Sequence, residues 1–178
     1  MLVYKDIISE DELFTDAFDM KTVGMTYEVE CKMITVGPTS VDTGANASAE
    51  GEDGDEAVEE GATLVNNVIY SNRLHPTTFD KKSYTIYIKG YLKAIKAKLQ
   101  EAAEKKNDPT SEEAKRFAAF EGEAMEFVKK VLKNIKDYDF YTGESMNVDG
   151  MVVLLNYRED GVTPFLTFFR DGLTEMKV

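Results

Sequence analysis

Cysteine and histidine are almost missing from this chain of 178 residues, which has one of each, Cys31 and His75. A lone cysteine rules out an internal disulfide framework. One cysteine and one histidine cannot assemble a zinc site from the usual sulfur and nitrogen ligands, so no structural metal is expected. No apolar run is long enough to span a bilayer. The opening MLVYKDIISEDE lacks the apolar core of a secretory signal. A cytoplasmic, reducing compartment is the expectation. A Walker loop, a G-x-S-x-G elbow and a dinucleotide fingerprint are also absent. Carboxylates abound, but spacing alone places no pair of them in a cleft. No catalytic residue is assigned, and enzymatic activity is not expected. Positive charge is scarce as well: 21 Lys and Arg face 33 Asp and Glu, a net charge of −12. That balance argues against a protein that coats nucleic acid or anionic membrane, because both need a basic footprint.

What remains is a composition able to bury a core, with 43% hydrophobic and 30% charged residues. Residues 1–178 read as one domain. Val3 and Ile7 alternate weakly in a first strand. Ser9 to Glu12 follow as an acidic turn, in which Ser9 is placed to cap a short helical turn and Glu12 to return the bond as the capping-box acid. From Met25 to Met33 the alternation is strict, with Met25, Tyr27, Val29, Cys31 and Met33 on one face, which predicts a half-buried strand. Cys31, on the apolar side, reads as a core residue rather than a nucleophile.

Residues 37–62 change character. They are rich in Gly, Ala, Ser and acids, contain no base, and have little to bury, which predicts a mobile acidic loop. Glu50, Glu52, Asp53, Asp55 and Glu56 could attract calcium weakly, although the EF-hand spacing is absent and a solvated charge run is the alternative. Residues 63–74 read as a strand, and His75 beside Pro76 as an ordinary residue of the turn that follows.

The strongest pattern is a helical hairpin over residues 79–137. Its first helix carries Tyr84, Ile88, Tyr91, Leu92, Ile95 and Leu99 as one stripe, starts at Asp80, and breaks near Asn107-Asp108-Pro109. The second opens on a capping box from Thr110 to Glu113 and carries Phe117, Ala124, Phe127, Val128, Val131, Leu132 and Ile135 on one face. Strands are predicted at 138–141, 151–157, 164–169 and 173–178, with Asp160-Gly161 in a hairpin turn. Strands bracketing a helical hairpin make an α+β fold.

Charge is distributed unevenly over these elements. Between Lys81 and Lys98 there are six lysines and no acid. Lys82, Lys89, Lys93 and Lys96 fall together beside the apolar stripe. They form either a solvated face or a docking strip for an acidic protein surface, such as a tubulin tail or a translation factor. Base stacking by the tyrosines is disfavoured, because Tyr84 and Tyr91 lie on the core stripe.

Several stretches resemble the translationally controlled tumour protein family, and the match covers nearly the whole chain. They are MLVYKDIISEDELFTDAF at the start, GANASAEGE at Gly44–Glu52, the helix DKKSYTIYIKGYLKAIKAKL, and Lys136–Leu173 near the end. The resemblance implies a tent of antiparallel β-sheets with a protruding helical hairpin and a mobile acidic loop. It implies a core like that of a small zinc-binding Rab chaperone and of methionine sulfoxide reductases. This chain lacks the cysteines that either chemistry needs. The resemblance further implies links to elongation factor 1 and ribosomes, microtubule stabilisation with the cytoskeleton as a second location, and weak calcium binding without a required cofactor. It also implies exchange assistance to a Rheb-type small GTPase, in which an exposed Glu12 would act. Two departures stand out. The chain ends in Val178 where many members have a cysteine, so no dimer through a terminal disulfide is expected, and the connection at Glu101–Lys115 reads longer than usual.

If the acidic loop holds calcium, deleting residues 42–60 removes the binding heat in titration calorimetry. Unchanged heat would move the site to the folded body.

Overall fold

The computed structural model describes residues 1–37 and 62–178. Among these, antiparallel strands build three sheets. In the smallest, β5 (Met33–Val36) pairs with β6 (Thr63–Asn66). In the second, β1 (Leu2–Asp6) lies between β2 (Glu12–Thr15) and β11 (Leu173–Lys177), which joins the two ends of the chain. The largest has six strands, in the order β3 (Met20–Val23), β4 (Thr26–Glu30), β10 (Pro164–Phe169), β9 (Val153–Tyr157), β8 (Asp139–Thr142) and β7 (His75–Thr77).

β10 shows why the strands stack this way. Its Leu166, Thr167, Phe168 and Phe169 are all buried, so both faces are covered and the segment reads as a continuous apolar run rather than an alternation. Phe168 packs on Phe14 of β2, with ring centroids 4.4 Å apart. Phe169 turns the other way, onto the helical hairpin. Pro164 occupies the first strand position, where a missing N–H is tolerated. The predicted turn leads into it: Gly161 takes φ +72°, and Asp160 Oδ1 accepts from the amides of Val162 and Thr163 at 2.8 Å.

The hairpin follows its predicted course. α1 (Asn67–Asn72) is a short helix before it, α2 (Lys81–Lys106) is the first long arm, and α3 (Glu112–Lys133) is the second. Asp80 caps α2 by accepting from the amide of Ser83 at 2.7 Å, while Ser83 Oγ accepts from the Asp80 amide in return. Asn107 ends the helix in the left-handed region, φ 49°. At ~1.5 Å per residue α2 is on the order of 40 Å long, and from Glu104 through Thr110 every residue is exposed. The tip stands clear of the sheets.

The predicted stripe is the buried one. Tyr84, Ile88, Tyr91 and Ile95 are in the core, and Leu92 and Leu99 are half-buried at its edge. Phe169 receives Tyr91 from α2 and Phe127 from α3, at centroid distances of 5.5 and 4.8 Å. The approach is close enough to demand a glycine: a Cβ on Gly172 would collide with the Tyr91 hydroxyl and the Met151 methyl. Arg116 of α3 completes the attachment, with Nε 2.8 Å from Asp171 Oδ2 and Nη2 2.6 Å from Glu123 Oε1. Burial pushes the Tyr84 and Tyr91 phenols well up, so both stay neutral core residues, unavailable to stack on bases.

Five local expectations are corrected. Residues 9–12 form no helical turn: Ser9 Oγ bonds the Asp6 carboxylate at 2.8 Å and Glu12 begins β2, so neither belongs to a capping box. The strand expected over residues 25–33 ends at Glu30, and Met33 belongs to a different sheet, exposed. The segment 63–74 is a strand only to Asn66, whose side chain accepts from the amides of Val68 and Ile69 and starts α1 instead. The cap of α3 is Ser111, one residue beyond Thr110, which bonds Asp108. His75 lies in β7 rather than in a turn. Cys31 is buried as expected, and burial pushes its thiol up to about 11. Most of the 37–62 loop, including the calcium candidates, lies outside the described residues.

Candidate functional site

Glu12 is exposed at the first position of β2, in register with Lys5 of β1. Among the described residues it has no ion-pair partner within 4 Å. It opens on a polar basin of about 390 Å³ that also involves Lys5, Glu10, Asp11, Arg73 and Glu144. Across that basin, Arg73 Nη1 bonds Glu144 Oε1 at 3.1 Å.

Two aspartates that sequence reasoning missed hold the turn before Glu12. Asp6 is 2% exposed, and its carboxylate accepts from the Ile8 amide at 2.8 Å, Ser9 Oγ at 2.8 Å and the Met151 amide at 2.7 Å. A Cβ on Gly150 would press on that carboxylate. Asp11 accepts from Ser145 Oγ at 2.7 Å and from the Ser145 amide at 3.3 Å. Between them, Glu10 is held at φ 66°, a left-handed conformation costing a non-glycine residue on the order of 1 kcal/mol. Its amide donates to the Asp6 carbonyl at 2.8 Å, and the Asp6 amide donates to the Asp11 carbonyl at 2.8 Å. The turn is therefore anchored on the segment 145–151, far away in the chain. No local spacing announces those contacts.

The lysines divide. Lys82, Lys89 and Lys93 are exposed on α2, whereas Lys96 is half-buried and pairs with Glu121 of α3 at 3.3 Å. Among the described residues, three of the strip's four members have no ion-pair partner. Lys89, Lys93 and Lys96 line a groove of about 390 Å³ between the two long helices, and Lys82 stands outside it at the start of α2. Opposite them α3 contributes Met125 and Lys129, which lie outside the apolar face read from its periodicity. Among the described residues, no group of three or more His, Cys, Asp or Glu is placed to hold a metal ion. No helix there is long and apolar enough to cross a membrane.

The profile of the translationally controlled tumour protein family matches residues 1–174. A translationally-controlled tumor protein homolog of Candida albicans is 57% identical over 179 residues, covering all of both chains. The homolog of Schizosaccharomyces pombe is 56% identical over 179 residues and 99% of each chain. The solved structure of the translationally controlled tumor-associated protein p23fyp from that yeast superposes with a TM-score of 0.79 over the full length of both chains, at 56% identity. The solution structure of the Caenorhabditis elegans protein, 24% identical, superposes with a TM-score of 0.66 over 100% of this chain and 99% of that one, and shares the fold.

Replacing the Asp6 anchor tests how the Glu12 turn is held. Asp6→Ala is expected to lower the unfolding free energy in urea by about 3 kcal/mol, because three donors lose a charged acceptor and the Met151 amide stays buried. A loss under about 0.5 kcal/mol, the size of an ordinary surface substitution, would contradict the anchor.

Proposed function

The chain belongs to the translationally controlled tumour protein family, and on that premise we propose that it is a non-enzymatic cytoplasmic interaction protein. It binds acidic partner surfaces through the exposed lysines of α2. Elongation factor 1, with ribosome association, and tubulin in microtubules are the partners that the family resemblance implies. The observation that carries the reading is the one-sidedness of α2. Tyr84, Ile88, Tyr91 and Ile95 are buried on the sheet, while Lys82, Lys89 and Lys93 stand exposed in a molecule of net charge −12. A basic face on an acidic body steers acidic partners to one orientation and repels them elsewhere. Lysine ammonium groups, strongly hydrated and flexible, suit disordered acidic tails better than planar bidentate recognition.

A second role is proposed for Glu12, because its carboxylate is exposed beside an anchored turn and has no ion-pair partner among the described residues. Assistance to nucleotide exchange on a Rheb-type small GTPase needs such a group, to engage a switch lysine or displace magnesium. Weak calcium binding by Glu50, Glu52, Asp53, Asp55 and Glu56 belongs to the same proposal.

Reversing Lys89, Lys93 and Lys96 together to Glu is expected to weaken capture of elongation factor 1 and co-sedimentation with microtubules by about tenfold or more at low salt. Unchanged capture at low salt would sink the role of the hairpin. Glu12→Val is expected to abolish any acceleration of nucleotide release from the GTPase in a fluorescent-nucleotide exchange assay. Release as fast as with the unaltered protein would remove the exchange role.

A further inference from the structure

The groove between α2 and α3 has a chemistry of its own. Its floor is apolar: Ile88, Phe120 and Ala124 are buried, Leu92 and Val128 are half-buried, and Met125 is 57% exposed. Ala124, with a single methyl group, leaves the seam between the helices low enough to form a channel rather than a closed ridge. The channel runs from Thr85 to Lys96 along α2, about 16 Å at ~1.5 Å per residue, or roughly three helical turns. Both walls carry lysine, Lys89, Lys93 and Lys96 on one helix and Lys129 on the other. Among the described residues Glu121 is the one acid in the lining, and Lys96 pairs with it.

We infer that this groove docks an acidic amphipathic α-helix of a partner protein, about three turns long. The inference rests on the reading of the hairpin as the binding surface and adds what that surface recognises. An apolar floor alone would accept any hydrophobic segment. Lysines on both rims select one whose apolar stripe is bordered by acids on each side, which is the pattern of an acidic amphipathic helix. A ligand with a single carboxylate would use one lysine and leave the opposite rim unanswered. Met125 suits the role of an adaptable contact, since its unbranched thioether repacks against differing apolar side chains. The lysines steer the helix in, and the floor holds it.

The test uses the full chain and a fluorescein-labelled 14-residue peptide of Glu, Ala and Leu with leucines at i, i+3, i+7 and i+10. A peptide of the same composition with its leucines scattered serves as control. Anisotropy titrations are expected to show the amphipathic peptide binding about tenfold or more tightly than the control. Met125→Asp, at an exposed position that leaves the core intact, is expected to weaken it by about tenfold, and Lys89→Glu with Lys93→Glu by a similar factor. Lys105→Glu, at the exposed tip outside the groove, is expected to leave it unchanged. Equal binding of both peptides overturns the inference, because it means attraction by charge alone. So does undiminished binding by Met125→Asp when its thermal midpoint matches that of the unaltered protein. If reversing the lysines abolishes capture of elongation factor 1 or tubulin while Met125→Asp preserves both capture and peptide binding, the groove is refuted and the broader reading of the hairpin survives.

Discussion

Burial of β10 on both faces is the constraint on which the other elements depend. A strand with Leu166, Phe168 and Phe169 all inside cannot be satisfied by one layer. β2 supplies Phe14 on one side, and α2 and α3 supply Tyr91 and Phe127 on the other. Two long helices answer one strand, and the seam between them on the other side is a groove lined by Ile88, Leu92, Phe120, Ala124, Met125 and Val128. The basic groove is a by-product of how the core was filled. The same economy explains Gly172, where a side chain would prop α2 away from the sheet.

Polar anchoring complements this apolar layer. Val3 and Tyr4 of β1 and Leu13 and Phe14 of β2 are buried on either side of the turn at residues 7–11. Asp6 and Asp11 fix the turn through hydrogen bonds to the segment 145–151. Charged acceptors bonded to backbone amides are stronger than neutral ones and directional, which is what a turn with a left-handed Glu10 needs. The exposed Glu12 is thereby presented on a framework rather than on a loose loop. Basic and acidic features occupy separate elements, the lysines on α2 and Glu12 at the start of β2, so one molecule can offer surfaces of opposite sign.

Local patterns made much of this legible. The stripe from Tyr84 to Ile95 and the stop at Asn107 needed only periodicity and capping chemistry, and Asp160-Gly161 needed only turn preferences. The failures share a cause. Ser9 and Glu12 fit a capping box by spacing, yet Asp6 offers Ser9 a stronger acceptor and β1 offers Glu12 a strand partner. Residues 63–74 look strand-like by composition, but Asn66 caps a helix as soon as its neighbours turn. In each case a competing hydrogen bond, from a side chain or from strand pairing, overrode a weak local preference.

Sequence by itself determined the helical hairpin, the character of Cys31, the lack of ligands for a zinc site, and the concentration of lysine on one helix of an acidic chain. These follow from residue types and from spacings of a few positions, where geometry is nearly forced. Tertiary structure alone decided that Glu12 is exposed with no ion-pair partner among the described residues, that Lys96 is paired, and that a channel with an apolar floor lies between the lysine rims. Those facts depend on contacts such as Asp6 with Met151, 145 residues apart, and Lys96 with Glu121, 25 apart. Such contacts form only once the core has chosen which faces to bury.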